Sequence, residues 1–200
     1  EYDNSINKIT FSSLPALINT GCLLQLKDKY GQLIYAVEYS DQWFESDLKK
    51  EGGWSLEMIN TETPCLGKEN WSESMSAAGG TPGLENSVIK KSTSSISPEL
   101  VSYQLINSKT IGLTFSKNMD SSSVANVANY TITPGSIHPT ASITQGPFYK
   151  NTQLVFENDL SVGTAYSVSL ADNAITDCIG NSMIADNITF GIPELCDSAD

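Results

Sequence analysis

From residue 100 onward the sequence keeps returning to one pattern: a few residues of apolar–polar alternation, then a turn signal. Val101, Tyr103 and Leu105 alternate with polar or smaller residues, and Ile111, Leu113 and Phe115 do the same after a turn at Asn107-Ser108. Tyr130–Thr133, Ala141–Thr144, Gln153–Phe156, Ala165–Leu170 and Ile188–Phe190 follow. Successive side chains of a strand point to opposite faces, so each run buries one face and wets the other. About seven short strands at regular spacing predict a two-sheet sandwich. One helical turn is expected over Ser121–Asn126, with Ser at its start.

The first half is also β-prone but less regular. Cys22–Asp28 and Gln32–Tyr39 flank a turn at Lys29-Tyr30-Gly31 and predict a hairpin. Leu33, Tyr35, Val37 and Tyr39 share one face of it. Gly52-Gly53 leads into a further strand with Trp54, Leu56 and Met58 on one side. Asn60 to Gly83 is punctuated by Pro64, Gly67, Gly79-Gly80 and Pro82-Gly83 and predicts loops. Between the halves, residues 88–98 are polar and Ser-rich and end in Pro, as a linker does.

Charge removes several function classes. The net charge is −12, and all 11 basic residues are Lys. It is spread over both halves: 8 Lys against 13 Asp and Glu up to Ser92, and 3 against 10 after it. A chain this acidic and without Arg repels a phosphate backbone and lacks the planar fork that reads guanine. Nucleic acid is therefore excluded as a partner, and anionic membrane surfaces are disfavoured. No run approaches the roughly 18 apolar residues of a membrane span, and Glu1-Tyr2-Asp3-Asn4 is no signal peptide.

Candidate chemistry is sparse. The single His138 has no Cys or carboxylate near it in sequence, and no nucleophile, phosphate-loop or zinc motif occurs. The acidic pairs Glu38/Asp41, Glu45/Asp47 and Asp172/Asp177 sit in loops or at strand ends, where carboxylates are ordinarily solvated. The chain is expected not to be an enzyme. Asp172, Asn173, Asp177 and Asn181 offer oxygen ligands of the kind calcium takes, but the same residues are preferred in turns. Calcium is the one cofactor they suggest. Trp43, Trp54 and Trp71 could stack on sugar rings; core packing is the competing role. Cys22, Cys65, Cys178 and Cys196 have no C-x-x-C spacing, and two per half suit one disulfide per half in an oxidising compartment. Cys178 and Cys196 flank the last predicted strand and are the better pair; for Cys22 and Cys65, buried free thiols are the alternative.

Two resemblances add context. Ser13-Leu14-Pro15, Val37-Glu38-Tyr39-Ser40, Trp43, Gly53-Trp54-Ser55-Leu56-Glu57, Pro64-Cys65, Asn70-Trp71, Gly79-Gly80-Thr81-Pro82-Gly83 and Asn86-Ser87 form an ordered series over residues 9–88. That series resembles the C-terminal part of a bacterial lamin tail domain. Members of that family open with strands carrying I-N-E-[IV]-L-x-[ND]-P and F-[VI]-E-[LI]-Y-N segments, which are not found here. The resemblance implies a domain entered part-way, with a sheet edge and core face left open. Ile111–Asp120, Asn129-Tyr130, Gly163–Tyr166 and Ile175–Asn181, spread over residues 97–191, are similar to bacterial Ig-like domains of surface-layer and cell-envelope proteins. Such domains act as spacers or adhesion modules.

The expected architecture is all-β: a partial lamin-tail-like sandwich at 1–90, a linker at 91–98, an Ig-like β-sandwich at 99–192 and a C-terminal linker at 193–200. The expected role is a structural or adhesive module of a larger secreted or cell-surface protein. Its partners would be neighbouring domains, glycans or another surface protein. Carbohydrate binding through exposed aromatics is the alternative.

Overall fold

The computed structural model describes residues 10, 13, 15–90, 96–184 and 186–193. The chain is all-β apart from short helical turns and divides into two compact units, residues 1–93 and 94–200. The expected linker at 91–98 lies partly outside the described residues, and Ile96–Pro98 already belong to the second unit.

The first unit opens with an antiparallel hairpin, β1 (Gly21–Lys27) and β2 (Leu33–Ser40), in which Leu24 faces Val37 and Cys22 faces Tyr39. Its turn forms because Asp28 Oδ1 accepts from the N–H groups of Tyr30 and Gln32, both at 2.8 Å, while Gly31 takes φ +83°. A one-turn helix, α1 (Asp47–Lys50), precedes a second small sheet of β3 (Leu56–Met58) and β4 (Trp71–Glu73). The predicted strand from Trp54 is thus shorter than its apolar alternation suggested. Gly53 and Gly79 meet backbone to backbone here, and a Cβ on Gly79 would strike the Gly53 carbonyl oxygen.

This unit is not a closed sandwich. It holds two two-stranded sheets, and among its described apolar residues only Ala36 and Cys65 are fully buried. Polar anchors do much of the joining. Asn70 donates from Nδ2 to the Asn60 and Thr63 carbonyls at 2.7 and 3.0 Å, and its Oδ1 accepts from Asn60 N–H at 2.9 Å. Glu73 accepts from the Glu45 and Ser46 N–H groups at 3.0 Å and so fixes the start of α1.

The second unit is a two-sheet sandwich. One sheet has the order β5–β6–β9–β8: β5 (Leu100–Asn107), β6 (Thr110–Phe115), β8 (Ala141–Thr144) and β9 (Asn151–Val155). The other has the order β11–β10–β7: β7 (Tyr130–Thr133), β10 (Ala165–Leu170) and β11 (Asn187–Gly191). In β6, β9 and β10 alternation does what the sequence predicted, whereas Val101 and Tyr103 of β5 stay exposed. Ile111, Leu113 and Phe115 of β6 face Tyr166, Val168 and Leu170 of β10 in one buried core. The edges are managed. Helix α2 (Ser121–Ala125), capped by Asp120 Oδ1 on Ser123 N–H at 2.8 Å, packs along β8, and Ser142 Oγ donates to the Val124 carbonyl at 2.7 Å. Ile137 pairs back on Ile132 and closes the outer edge of β7.

Tyr130 lies wholly inside this core, and its hydroxyl donates to the Val124 carbonyl at 2.8 Å. Burial pushes its pKa up, so it remains a donor across the neutral range. Tyr130→Phe removes that bond, but Val124 keeps the Ser142 hydroxyl. The expected loss is about 1 kcal/mol in urea unfolding followed by far-UV circular dichroism.

Candidate functional site

Two places concentrate chemistry, one in each unit. In the first, the faces of the two small sheets converge on an apolar groove of about 420 Å³. Leu24, Val37 and Tyr39 line it from the hairpin, Leu56 and Trp71 from the second sheet, and Trp54 from the approach to β3. Trp54 and Trp71 line the groove, and all three tryptophans are half-buried rather than an exposed platform. Trp43 and Trp71 pack at 6.2 Å between ring centroids, tilted by 38°. The Lys49 ammonium lies 4.8 Å above the Trp54 ring, pairs with Glu73 at 2.9 Å and donates to the Ser74 carbonyl at 2.9 Å. A pyranose needs a free flat ring and a fringe of polar groups; this groove offers aliphatic side chains and a ring already covered by a cation. Lys49→Ala removes three contacts at once, and the tryptophan-detected unfolding transition is expected to fall by roughly 2 kcal/mol.

In the second unit, Lys117 and Asp177 form an ion pair at 2.9 Å with side chains only 4 % and 0 % exposed. The ammonium also donates to the Ile96 carbonyl. The carboxylate accepts from the Ile179 and Asn181 N–H groups at 3.1 and 2.9 Å and from Asn181 Nδ2 at 2.9 Å. Burial alone would raise the Asp177 pKa; Lys117 and the Asn181 and Ile179 donors outweigh it and hold the carboxyl below its usual range. Backbone bonds reinforce the junction: Cys178 N–H to the Asn118 carbonyl at 3.0 Å and Asp120 N–H to the Thr176 carbonyl at 2.9 Å. The stretches 111–120 and 175–181, far apart in sequence, are thereby one structural piece.

This geometry revises several sequence expectations. Of the four residues read as calcium ligands, Asp177 and Asn181 meet, but around a lysine ammonium that already supplies the positive charge. Asp172 and Asn173 stand exposed in the preceding turn, with Asn173 at φ +55° as Asn in turns often is. Among the described residues no group of three or more His, Cys, Asp or Glu is placed to hold a metal. Cys22 keeps a free thiol, so the Cys22–Cys65 disulfide does not form. The physical reason is local: the hairpin register sets Cys22 opposite Tyr39, whose hydroxyl takes its Sγ at 3.3 Å. Cys65 is in a disulfide, and so is Cys178, whose expected partner Cys196 lies outside the described residues. The acidic pairs dissolve likewise: Asp41 pairs with Lys50 at 3.2 Å, and Asp177 is claimed by Lys117. His138 Nδ1 sits 2.8 Å from the Tyr130 carbonyl oxygen, a backbone contact.

Comparison with known families bears on the second unit. The bacterial Ig-like domain family matches residues 89–191. The chain belongs to that family. Solved structures that the chain resembles include three of a surface-layer protein. A crystal structure of the S-layer protein rSbsC(31-844) shares 19 % identity at a TM-score of 0.44, over 49 % of this chain and 14 % of that one. The N-terminal part of the bacterial S-layer protein SbsC gives 19 % identity and 0.44, over 49 % of this chain and 24 % of that one. Domains 1–6 of SbsC give 18 % and 0.42, over 50 % and 14 %. The Ig-like chain thus spans under a quarter of each of these chains. No curated protein matches it. Among the described residues, no helix is long and apolar enough to cross a membrane.

Sequence reasoning missed Lys117 as a partner of Asp177, although both stretches that hold them carry the family likeness. It also missed Glu57 and Glu73, whose signal was available: charged residues inside short apolar strands need a buried partner.

Proposed function

We propose that this chain is a non-enzymatic structural module of a larger secreted or cell-surface protein, spacing and presenting its neighbouring domains. One observation carries the reading. The second unit is a closed sandwich whose one buried ion pair locks its loops together, and among the described residues no buried side-chain nitrogen or oxygen lacks a partner. Catalytic sites characteristically hold strained or imperfectly satisfied polar groups in a cleft; this unit has spent its polar groups on rigidity. The first unit is read as the C-terminal part of a lamin-tail-like domain, supported by its ordered Trp, Gly and Pro signature and by its open, two-sheet form.

The test uses intact cells producing the full-length protein. Antibody raised against this chain is expected to label them without permeabilisation, and deleting the module should leave any catalytic activity of the remaining protein intact. Labelling only after permeabilisation, or loss of a catalytic rate on deletion with the rest still folded, overturns the reading.

A further inference from the structure

We infer that the second unit carries tension along the chain, with β5 and β11 as its two load-bearing strands; this deepens the structural-module reading and rests on it. The chain enters and leaves this unit at opposite poles. Ahead of β5, the Lys117 ammonium holds the Ile96 carbonyl next to Asp177. After β11, Gly163 N–H donates to the Ile192 carbonyl at 2.9 Å, and Ile192 and Pro193 lie with Val162 and Asn107, at the far end of β5. β5 therefore runs from the entry pole to the exit pole. β11 runs the same way, since its last residue, Gly191, stands opposite Ala165 at the exit pole.

The direction of pull decides how the bonds resist. Tension between the poles acts along both strands: it drags the start of β5 outward at one pole and the end of β11 outward at the other. Ladder hydrogen bonds run perpendicular to antiparallel strands, so this load shears them. Ser116 N–H donates to the Glu99 carbonyl at 2.9 Å, while Phe115 N–H donates to the Lys150 carbonyl at 2.8 Å. Even-numbered residues of β6 thus aim at β5, with Gly112 opposite Gln104 and Thr114 opposite Ser102. A slip of β5 along its axis takes these bonds out of reach together, because a hydrogen bond is lost within about 1 Å of stretch. On the other sheet, β11 is held to β10 from Asn187 opposite Ser169 to Gly191 opposite Ala165. Sideways peeling would break the same bonds one at a time.

The points where load enters are pinned. Ile96 is tied through Lys117 to the wholly buried Asp177, and Glu99 N–H donates to Ser116 Oγ at 2.9 Å. At the other pole Ile192 is part of the buried core. The loaded strands also touch each other across the sheets, with the Tyr103 and Phe190 ring centroids 5.8 Å apart.

Optical tweezers on the whole chain test this. DNA handles are coupled to azide-bearing residues placed at positions 97 and 193, or at 97 and 172, in reducing buffer so that no disulfide at Cys178 diverts the load. Asp172 follows the end of β10 at the entry pole, so the second pair of handles peels where the first shears. At one loading rate the rupture force across 97–193 should be several-fold higher, with the unit opening in a single rip of roughly 300 Å. Gln104→Pro deletes an N–H aimed at β6 and should lower that force. Equal or lower force across 97–193 overturns the proposal. So does a short early rip from β5 alone, or a folded Gln104→Pro chain that ruptures at the unaltered force. Labelling of intact cells is independent of rupture force, so a fault in the module reading would show there and not here.

Discussion

Replacing Lys117 by Met is expected to destabilise the second unit by about 3–5 kcal/mol, the largest effect of any single change proposed for this chain. The cost comes from the group left behind. Asp177 is wholly buried, and without the ammonium at 2.9 Å its charge faces a low-dielectric interior with only neutral donors. The Ile96 carbonyl loses its donor in the same step, which frees the residues that lead into β5. Asp177→Asn should cost less, since an amide oxygen can still accept from the Asn181 and Ile179 N–H groups. Urea unfolding by far-UV circular dichroism measures both. Tryptophan emission is the internal control, because all three tryptophans lie in the first unit. If Lys117→Met shifted the transition by less than about 1 kcal/mol, the pair would not be the lock described above.

The same pair gives a pH signature. The Asp177 pKa is held low in the folded state, so its contribution is fully present above the ordinary carboxylate pKa of about 3.9 and is lost as pH falls through the folded value. Acid unfolding of the second unit should therefore begin below roughly pH 4 and move to higher pH in Lys117→Met.

What the sequence made legible follows from where packing is periodic. The middle of the second unit could be read from its pattern, since β6, β9 and β10 each bury every other residue, while the alternation of β5 marked no buried face. The hairpin β1–β2 was legible from its turn, and α2 from its run of serines, although its cap is Asp120 and not the Ser expected. Lys117 and Asp177 were not, because 60 residues separate them and each sits in a turn-like stretch where a charge is expected to be wet. Asp177 in particular carries the same turn chemistry whether its second oxygen meets water, a cation or a lysine. The first unit was legible as strands and illegible as an assembly. Its joining groups are carboxylates and amides on strands of three residues, and no periodicity reports those.

Glu57 is the sharpest case, and Glu57→Leu is expected to cost the first unit about 3 kcal/mol. The carboxylate is 5 % exposed in the middle of β3. One oxygen accepts from the Thr81 hydroxyl at 2.7 Å; the other accepts from both the Ser87 N–H and its hydroxyl at 2.7 Å. Ser87 Oγ in turn accepts from Met75 N–H at 2.8 Å. One side chain thus anchors the loop that begins at Gly79 and returns along β3, where Asn86 Nδ2 donates to the Met58 carbonyl and Lys90 N–H to the Ile59 carbonyl, both at 2.8 Å. Burial would raise the Glu57 pKa, but the Ser87, Thr81 and Ser74 donors outweigh it and bring the value below normal. By linkage the stabilisation is present above the unfolded glutamate pKa of about 4.3 and fades as pH falls through the folded value. Leucine matches the volume and supplies no acceptor, so the Ser87 N–H and the Ser87 and Thr81 hydroxyls lose their partner. With only Ala36 and Cys65 fully buried among the described apolar residues of this unit, little hydrophobic stabilisation is in reserve. The tryptophan-detected urea midpoint should drop sharply in Glu57→Leu and partly recover in Glu57→Gln, which keeps one acceptor oxygen. The far-UV transition of the second unit should stay in place. Equal midpoints for Glu57→Leu and the unaltered chain would mean that apolar contacts around the groove, and not this carboxylate, hold the two small sheets together.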